Sequence, residues 1–208
     1  MNTTTTLPFS PAVRSVGSVS VSSAPPLPSA VNILTVYRQP MDEKLLQELF
    51  GAVPSHVPVS IAEFRYLGKT YKGFAFRNVA GGYELFCDKL SQTFFTVGEY
   101  GLTVLSHGKK GRRHRCHVFE TAADYLRFVS LDRHSISRDD DIVIMSNIRN
   151  FVSLLLFTDT YDSVQCYLQP SRANIIALAT LSRRNDRVTD RSLYFCWLLS
   201  SQSNSQAL

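Results

Sequence analysis

The chain has 208 residues, 22 Lys and Arg against 17 Asp and Glu, and a formal charge of +5. That length excludes two full-sized domains but admits one buried core with an appendage, and a hydrophobic fraction of 44% can fill it. No run reaches the roughly 20 apolar residues of a bilayer span, so no membrane association is expected.

The charge permits a polyanionic partner without requiring one, because scattered Lys and Arg also solvate an ordinary surface. The N-terminus lacks a basic start followed by an apolar run, so no secretory signal is expected and the expected location is cytoplasmic. Cys87, Cys116, Cys166 and Cys196 are far apart and form neither Cys-x-x-Cys pairs nor zinc-finger spacing. Free thiols in a reducing compartment are therefore expected, and no zinc.

Residues 1–30 are rich in Ser, Thr, Pro and Val, with Arg14 the lone charge; they carry no lasting period and read as a disordered tail. From Met41 to Phe50, Met41, Leu45, Leu46, Leu49 and Phe50 recur at helical spacing. After Pro54 and Pro58 come two strand-like runs, Ile61 to Leu67 and Tyr71 to Arg77, with Gly68-Lys69 available as the turn between them. Gly81-Gly82 then turns the chain into a further strand ending in Tyr83-Glu84-Leu85; the pair is a hairpin device, or a place where backbone approaches a phosphate. Residues 88–110 read as a loop, containing Phe94 and Phe95 as core candidates and Tyr100 and His107 as potential stacking surfaces.

Beyond it strands and helices alternate. Arg115 to Phe119, Ile142 to Met145, Val164 to Leu168 and Arg187 to Thr189 read as strands, and Thr121 to Leu131, Phe151 to Phe157 and Arg172 to Leu181 as helices. This order predicts an α/β fold with a mostly parallel four-stranded sheet flanked by helices and preceded by a small β-rich subdomain. The expected divisions are a tail at 1–30, a helix with the β-rich subdomain at 31–110, the α/β domain at 111–195 and a C-terminal tail at 196–208. Leu154 to Phe157 is kept helical because as a strand it would leave too few residues for a parallel crossover. Asp162 then precedes a strand, opposite the usual ligand end.

In open α/β sheets ligands collect beyond the carboxyl ends of the strands. The residues there are Glu120, then Asn147 and Asn150, then Gln169, Pro170 and Ser171. Taken alone, Glu120 reads as a cap on the following helix, with Asp124 on the same side. A second candidate is the basic run Lys109, Lys110, Arg112, Arg113 and Arg115, which suits backbone phosphates or, more plainly, a solvated loop.

Three stretches together resemble Toprim proteins of bacterial DNA-primase type. Val118-Phe-Glu-Thr-Ala-Ala-Asp-Tyr-Leu-Arg-Phe128 resembles the first Toprim motif, and Met145-Ser-Asn-Ile-Arg-Asn150 the second-strand motif. Tyr167-Leu-Gln-Pro-Ser-Arg-Ala-Asn174 falls where that family has a strand ending in Asp-x-Asp. Tyr71 to Leu85 and Val188 to Tyr194 are similar to segments flanking Toprim in primase-like proteins of Bacteroidetes mobile elements, so the resemblance spans roughly residues 58 to 195.

The resemblance implies that Glu120 and Asp124 stand at catalytic positions, and that Gln169 and Ser171 replace the two aspartates that hold magnesium for phosphoryl transfer. Neutral Gln and Ser cannot neutralise a dication, while Arg172 and Arg149 add positive charge nearby. The implied function is a divergent primase-type Toprim protein that binds DNA or RNA in replication or mobile-element maintenance, with magnesium binding and catalysis weakened or lost. The alternatives are an active magnesium-dependent primase, nucleotidyl transferase or nuclease that recruits Asp159 or Asp162, and a non-catalytic interaction module. The sequence names no protein partner.

Overall fold

In the computed structural model, residues 31–37, 43–53, 57–91, 93–105, 114–132, 134–137 and 139–205 are described. The tail at 1–30 and the basic residues Lys109, Lys110, Arg112 and Arg113, with His107, lie outside them. Among the described residues, ten strands form two five-stranded sheets, accompanied by five α-helices.

The first sheet is antiparallel, with β1 (Val31–Tyr37), β2 (Ser60–Tyr66), β3 (Lys69–Arg77), β4 (Tyr83–Phe86) and β5 (Phe95–Val97) in chain order. Between β1 and β2 lies helix α1 (Glu43–Phe50). β1 belongs to the segment between the expected tail and the expected helix. A register shift between Ile33 and Thr35 interrupts the alternation that would reveal it.

The β2–β3 turn is Leu67-Gly68, one residue earlier than expected, with φ of 47° and 76°. Two consecutive positive values are the I′ pattern that suits strand twist, and it fits Asn-Gly better than Leu-Gly. Leu67 is 76% exposed. Leu67→Asn is therefore expected to raise stability by about 1 kcal/mol, seen as a higher denaturant midpoint at unchanged m-value.

The second sheet runs β10 (Val188–Asp190), β9 (Ser163–Tyr167), β7 (Arg115–Phe119), β8 (Asp141–Ile144), β6 (Thr103–Leu105). The four strands expected to be parallel are parallel. The sheet has five strands rather than four, because β6 pairs antiparallel with β8 from inside the expected loop. A three-residue strand offers too little alternation to read from sequence, and here it covers the edge that β8 would otherwise expose.

Helices α2 (Ala122–Leu131), α3 (Phe151–Thr158) and α4 (Arg172–Arg184) fill the crossovers. Helix α5 (Ser192–Ser205) follows β10 and crosses the expected domain boundary at 195. Strand positions alternate between two cores. Phe119, Ile142, Ile144 and Tyr167 pack with Tyr125 and Phe128 of α2 and Phe195 of α5. On the opposite face, Cys116, Val118, Val143 and Cys166 pack with Leu154 of α3 and Leu181 of α4. Burial on both faces explains why these strands read as continuous apolar runs. Cys87, Cys116 and Cys166 are buried and outside any disulfide, and Cys196, also outside one, is half-buried.

The two sheets share a core. Phe74, Phe76 and Phe86 of the first sheet join Leu46 and Phe50 of α1 and the α2 residues in one cluster. Gly82 permits a close approach within this assembly: a Cβ there would meet the Glu99 carbonyl oxygen at 2.2 Å. Asn78 fastens the same loop, donating to the Glu99 carbonyl at 2.7 Å and accepting from the Gly82 N–H at 2.8 Å. Gly82 thus meets the chain's own backbone, while Gly81 faces open space at a φ of 93°.

Glu84 is an ionisable group only 2% exposed. Burial pushes its carboxyl above the ordinary value of 4.5, against the Thr96 and Ser146 hydroxyls, which lower it. Thr96 Oγ1 donates to Glu84 Oε1 at 2.8 Å. The Ser146 hydroxyl is buried beside the carboxyl without meeting the geometry of a full hydrogen bond. A carboxyl with a raised folded-state value leaves stability untouched while both states are protonated. As pH rises past the ordinary value the unfolded chain ionises first, so stability falls until the folded-state value is passed and stays lower beyond it. Glu84→Gln is expected to remove that decline and raise neutral-pH stability, measured by urea unfolding across acidic to neutral pH.

Candidate functional site

Glu120, Gln169 and Ser171 emerge together at the carboxyl ends of β7 and β9. Thr121, not Glu120, is the N-cap of α2: its Oγ1 accepts from the Asp124 N–H at 3.1 Å. Asp124 completes the capping box by accepting from the Thr121 N–H at 3.2 Å and the Thr121 hydroxyl at 2.8 Å through Oδ2. This fixes the Asp124 rotamer, and the residue is 3% exposed. Its second oxygen, Oδ1, accepts from Gln169 Nε2 at 2.6 Å.

Ser171 is the N-cap of α4, its hydroxyl accepting from the Asn174 N–H at 3.1 Å. This cap turns the buried Asn174 side chain back towards the strand ends. There Asn174 Nδ2 donates to Glu120 Oε2 at 2.6 Å and to the Gln169 carbonyl at 2.8 Å. The two carboxylates and two amides form one network, Asp124 to Gln169 to Asn174 to Glu120. Asn174 stands inside the third motif, but its part could not be read from sequence because an Asn in the first turn of a helix carries no signal for a contact 54 residues away.

Glu120 remains half-buried. Burial raises its carboxyl above the ordinary value, the Asn174 amide lowers it, and the neighbouring Asp124 charge raises it again. Amide N–H groups are donors and cannot ligate a metal, and they are what Gln169 and Asn174 direct at the acids. Among the described residues, no group of three or more His, Cys, Asp or Glu is gathered at one place.

The second-strand residues serve the backbone. Asn147 caps a 3₁₀ turn at Ile148–Asn150 by accepting from the Arg149 N–H at 2.9 Å. Asn150 is buried and donates to the Met145 carbonyl at 2.8 Å and the Gly101 carbonyl at 3.1 Å. It ties the segment before β6 to the end of β8. Between them Ser146 adopts a φ of 62° while its N–H donates to the Glu120 carbonyl at 2.8 Å. Glu84, which sequence reasoning missed, reaches this junction from the first sheet. A charged residue at an inward position of an apolar strand was the only available sign.

The expected cations that are described, Arg115, Arg149 and Arg172, divide between the two ends of the sheet. Arg172 opens α4 and Arg149 follows β8, both exposed at the Glu120 end. The Arg149 guanidinium lies 5.4 Å from the centre of the Tyr100 ring. Arg115 begins β7, at the opposite end from Glu120. Phe95 is core and Phe94 packs against core, as expected.

Asp159 and Asp162 also belong to the far end. Asp159 pairs with Arg184 at the end of α4, Oδ2 to Nη2 at 2.6 Å. Asp162 meets His114 at 3.3 Å. From His114 to Glu120 the chain runs along β7, about 20 Å at roughly 3.3 Å per residue. Neither aspartate shares a metal-sized site with Glu120.

No family model and no curated protein matches the sequence. Solved structures resemble the fold at low identity, among them two of bacteriophage T7. One is the primase fragment of the bacteriophage T7 primase-helicase protein, 13% identical with a TM-score of 0.45, the match covering 80% of this chain and 72% of that one. The other is a chain of a bacteriophage T7 lagging-strand DNA polymerase complex with primase domains bound to an RNA/DNA hybrid and dTTP, 15% identical with a TM-score of 0.42, covering 71% of this chain and 73% of that one.

Proposed function

We propose that the chain is a divergent primase-type Toprim protein that binds DNA or RNA in replication or mobile-element maintenance, and that its strand-end site holds backbone phosphate rather than magnesium. The observation carrying this reading is the pairing of Gln169 with Asp124 and of Asn174 with Glu120. Each carboxylate that a metal would need accepts an amide donor, and Arg149 and Arg172 are exposed cations at the same end of the sheet.

In this reading Glu120 and Asp124 organise the strand ends and the α4 N-terminus, and the arginines supply the attraction. Gln169 and Ser171 stand where the Toprim aspartates would, and the capping hydroxyl of Ser171 keeps α4 in place without adding charge. Binding follows counterion release, so affinity falls steeply with salt and does not depend on magnesium.

The test is fluorescence anisotropy of a labelled single-stranded oligonucleotide at increasing salt, with Arg149→Gln plus Arg172→Gln as the comparison. The double variant is expected to bind more weakly and to show a salt slope shallower by about 1 to 2. Undetectable binding, or affinity indifferent to salt, would sink the proposal.

A further inference from the structure

A cleft of about 280 Å³ lies on the face of the second sheet covered by α2 and α5, its wall including Arg115, Gln165, Arg191 and Tyr194 and its floor His117 and Tyr167. The floor is polar, buried and ordered: His117 is 1% exposed, with Nε2 2.9 Å from Asp140 Oδ2 and Nδ1 3.3 Å from the Tyr167 hydroxyl.

Arg115 and Arg191 bring two guanidiniums to the lining. Arg191 uses Nε on Gln165 Oε1 at 2.9 Å, a neutral partner. Among the described residues, Arg115 comes no nearer to a carboxylate than 4.0 Å, from Asp140. The acids around the cleft are already engaged: Asp140 by His117 and the Ser137 N–H, Asp132 by Ser135 and Tyr194, and Asp190 by the Ser192 N–H. The combined field of Arg191 and Arg115 reaches the Tyr167 hydroxyl, although burial and the Asp132 charge outweigh it and the group is pushed up to about 12. Beyond the rim, Tyr194 stacks on Trp197 with ring centres 6.0 Å apart and planes at 25°. Trp197 is 61% exposed.

We propose that this cleft binds a nucleoside phosphate, the phosphate between Arg115 and Arg191 and the base against the exposed Tyr194–Trp197 pair. The volume stands at the low end of ligand cavities, roughly 300 to 1,000 Å³, so it encloses a phosphate and part of a sugar while the base stays outside. Planar guanidiniums suit phosphate oxygens, and an exposed aromatic pair accepts any base by stacking. The site is separate from the Glu120 end and stands or falls independently of the function proposed there.

Trp197 is the only tryptophan in the chain and therefore its own reporter. Thymidine monophosphate is titrated into the full chain while Trp197 fluorescence is followed, with inorganic phosphate as competitor and an oligodeoxythymidylate as the alternative source of the same chemistry. Saturable quenching that phosphate reverses is expected. Arg115→Gln plus Arg191→Gln should weaken it at least about tenfold, whereas Lys69→Gln plus Lys72→Gln, which removes equal charge from the first sheet, should not. If the glutamine pair fails to fold by circular dichroism, Arg115→Lys plus Arg191→Lys keeps the charge and should still lose severalfold through the missing fork geometry. Quenching by the oligonucleotide alone places the phosphate in a strand and supports the site. No saturable quenching by either ligand, or equal affinity in the arginine variants, overturns it. A loss confined to Arg149→Gln plus Arg172→Gln overturns this cleft and leaves the strand-end reading standing.

Discussion

The Gln169→Asp, Ser171→Asp double variant is expected to melt about 5–10 °C below the parent without divalent cations and to regain most of that loss when magnesium is added. The cost comes mainly from position 169. There a neutral amide that donates to Asp124 at 2.6 Å would become a third carboxylate in a half-buried site already holding Glu120 and Asp124. Ser171→Asp costs little, because Asp caps a helix about as well as Ser. Magnesium binding only the folded form at about 100 times its dissociation constant returns roughly 2.7 kcal/mol. The parent, whose acids already accept amide donors, should show no comparable shift. A double variant as indifferent to magnesium as its parent would mean that the strand ends do not carry the geometry of a lost metal site.

The second large effect falls on Asn174. Asn174→Ala removes one donor shared between the Glu120 carboxylate and the Gln169 carbonyl, and is expected to cost about 2–4 kcal/mol. Part of any such loss is helix packing, so a double-mutant cycle with Glu120→Gln isolates the contact. A coupling of about 1.5–3 kcal/mol is expected for a bond to a charged group. Coupling near zero would make Asn174 a packing residue and deprive Glu120 of its principal partner.

The parallel core was legible because its information is local. β7, β8 and β9 are apolar runs buried on both faces, and Thr121 and Ser171 are cap residues at strand-to-helix junctions. The position of Asp162 before a strand followed from the minimum length of a crossover, and its pairing with His114 agrees. What escaped was short, irregular or distant. β1 contains a register shift, and β5 and β6 have three residues each. Helix α5 is rich in Ser and leaves Leu193 and Trp197 exposed, so it lacks a clear apolar stripe.

The convergence of the candidate residues was legible, but not the bonds between them. Glu120, Asp124, Gln169 and Ser171 were identified by strand-end position and by resemblance, and they do converge. The amide pairing could not be read, since Gln169 and Asp124 are 45 residues apart and meet only through sheet order. Charge was the least legible feature. Arg115 and Arg172 look alike in sequence, yet parallel strand direction sends them to opposite ends of the sheet. The gathering of Arg115 with Arg191 over a His–Tyr floor depends on β10 and α5 folding back beside β9.

Magnesium titration of the unmodified chain, with and without single-stranded DNA, tests the central claim most directly, with bound metal, DNA affinity and strand synthesis or cleavage read in parallel. The account predicts salt-sensitive DNA binding that magnesium neither requires nor strengthens, and no strand made or cut. Tight magnesium uptake by the unmodified protein, accompanied by synthesis or cleavage, would contradict it.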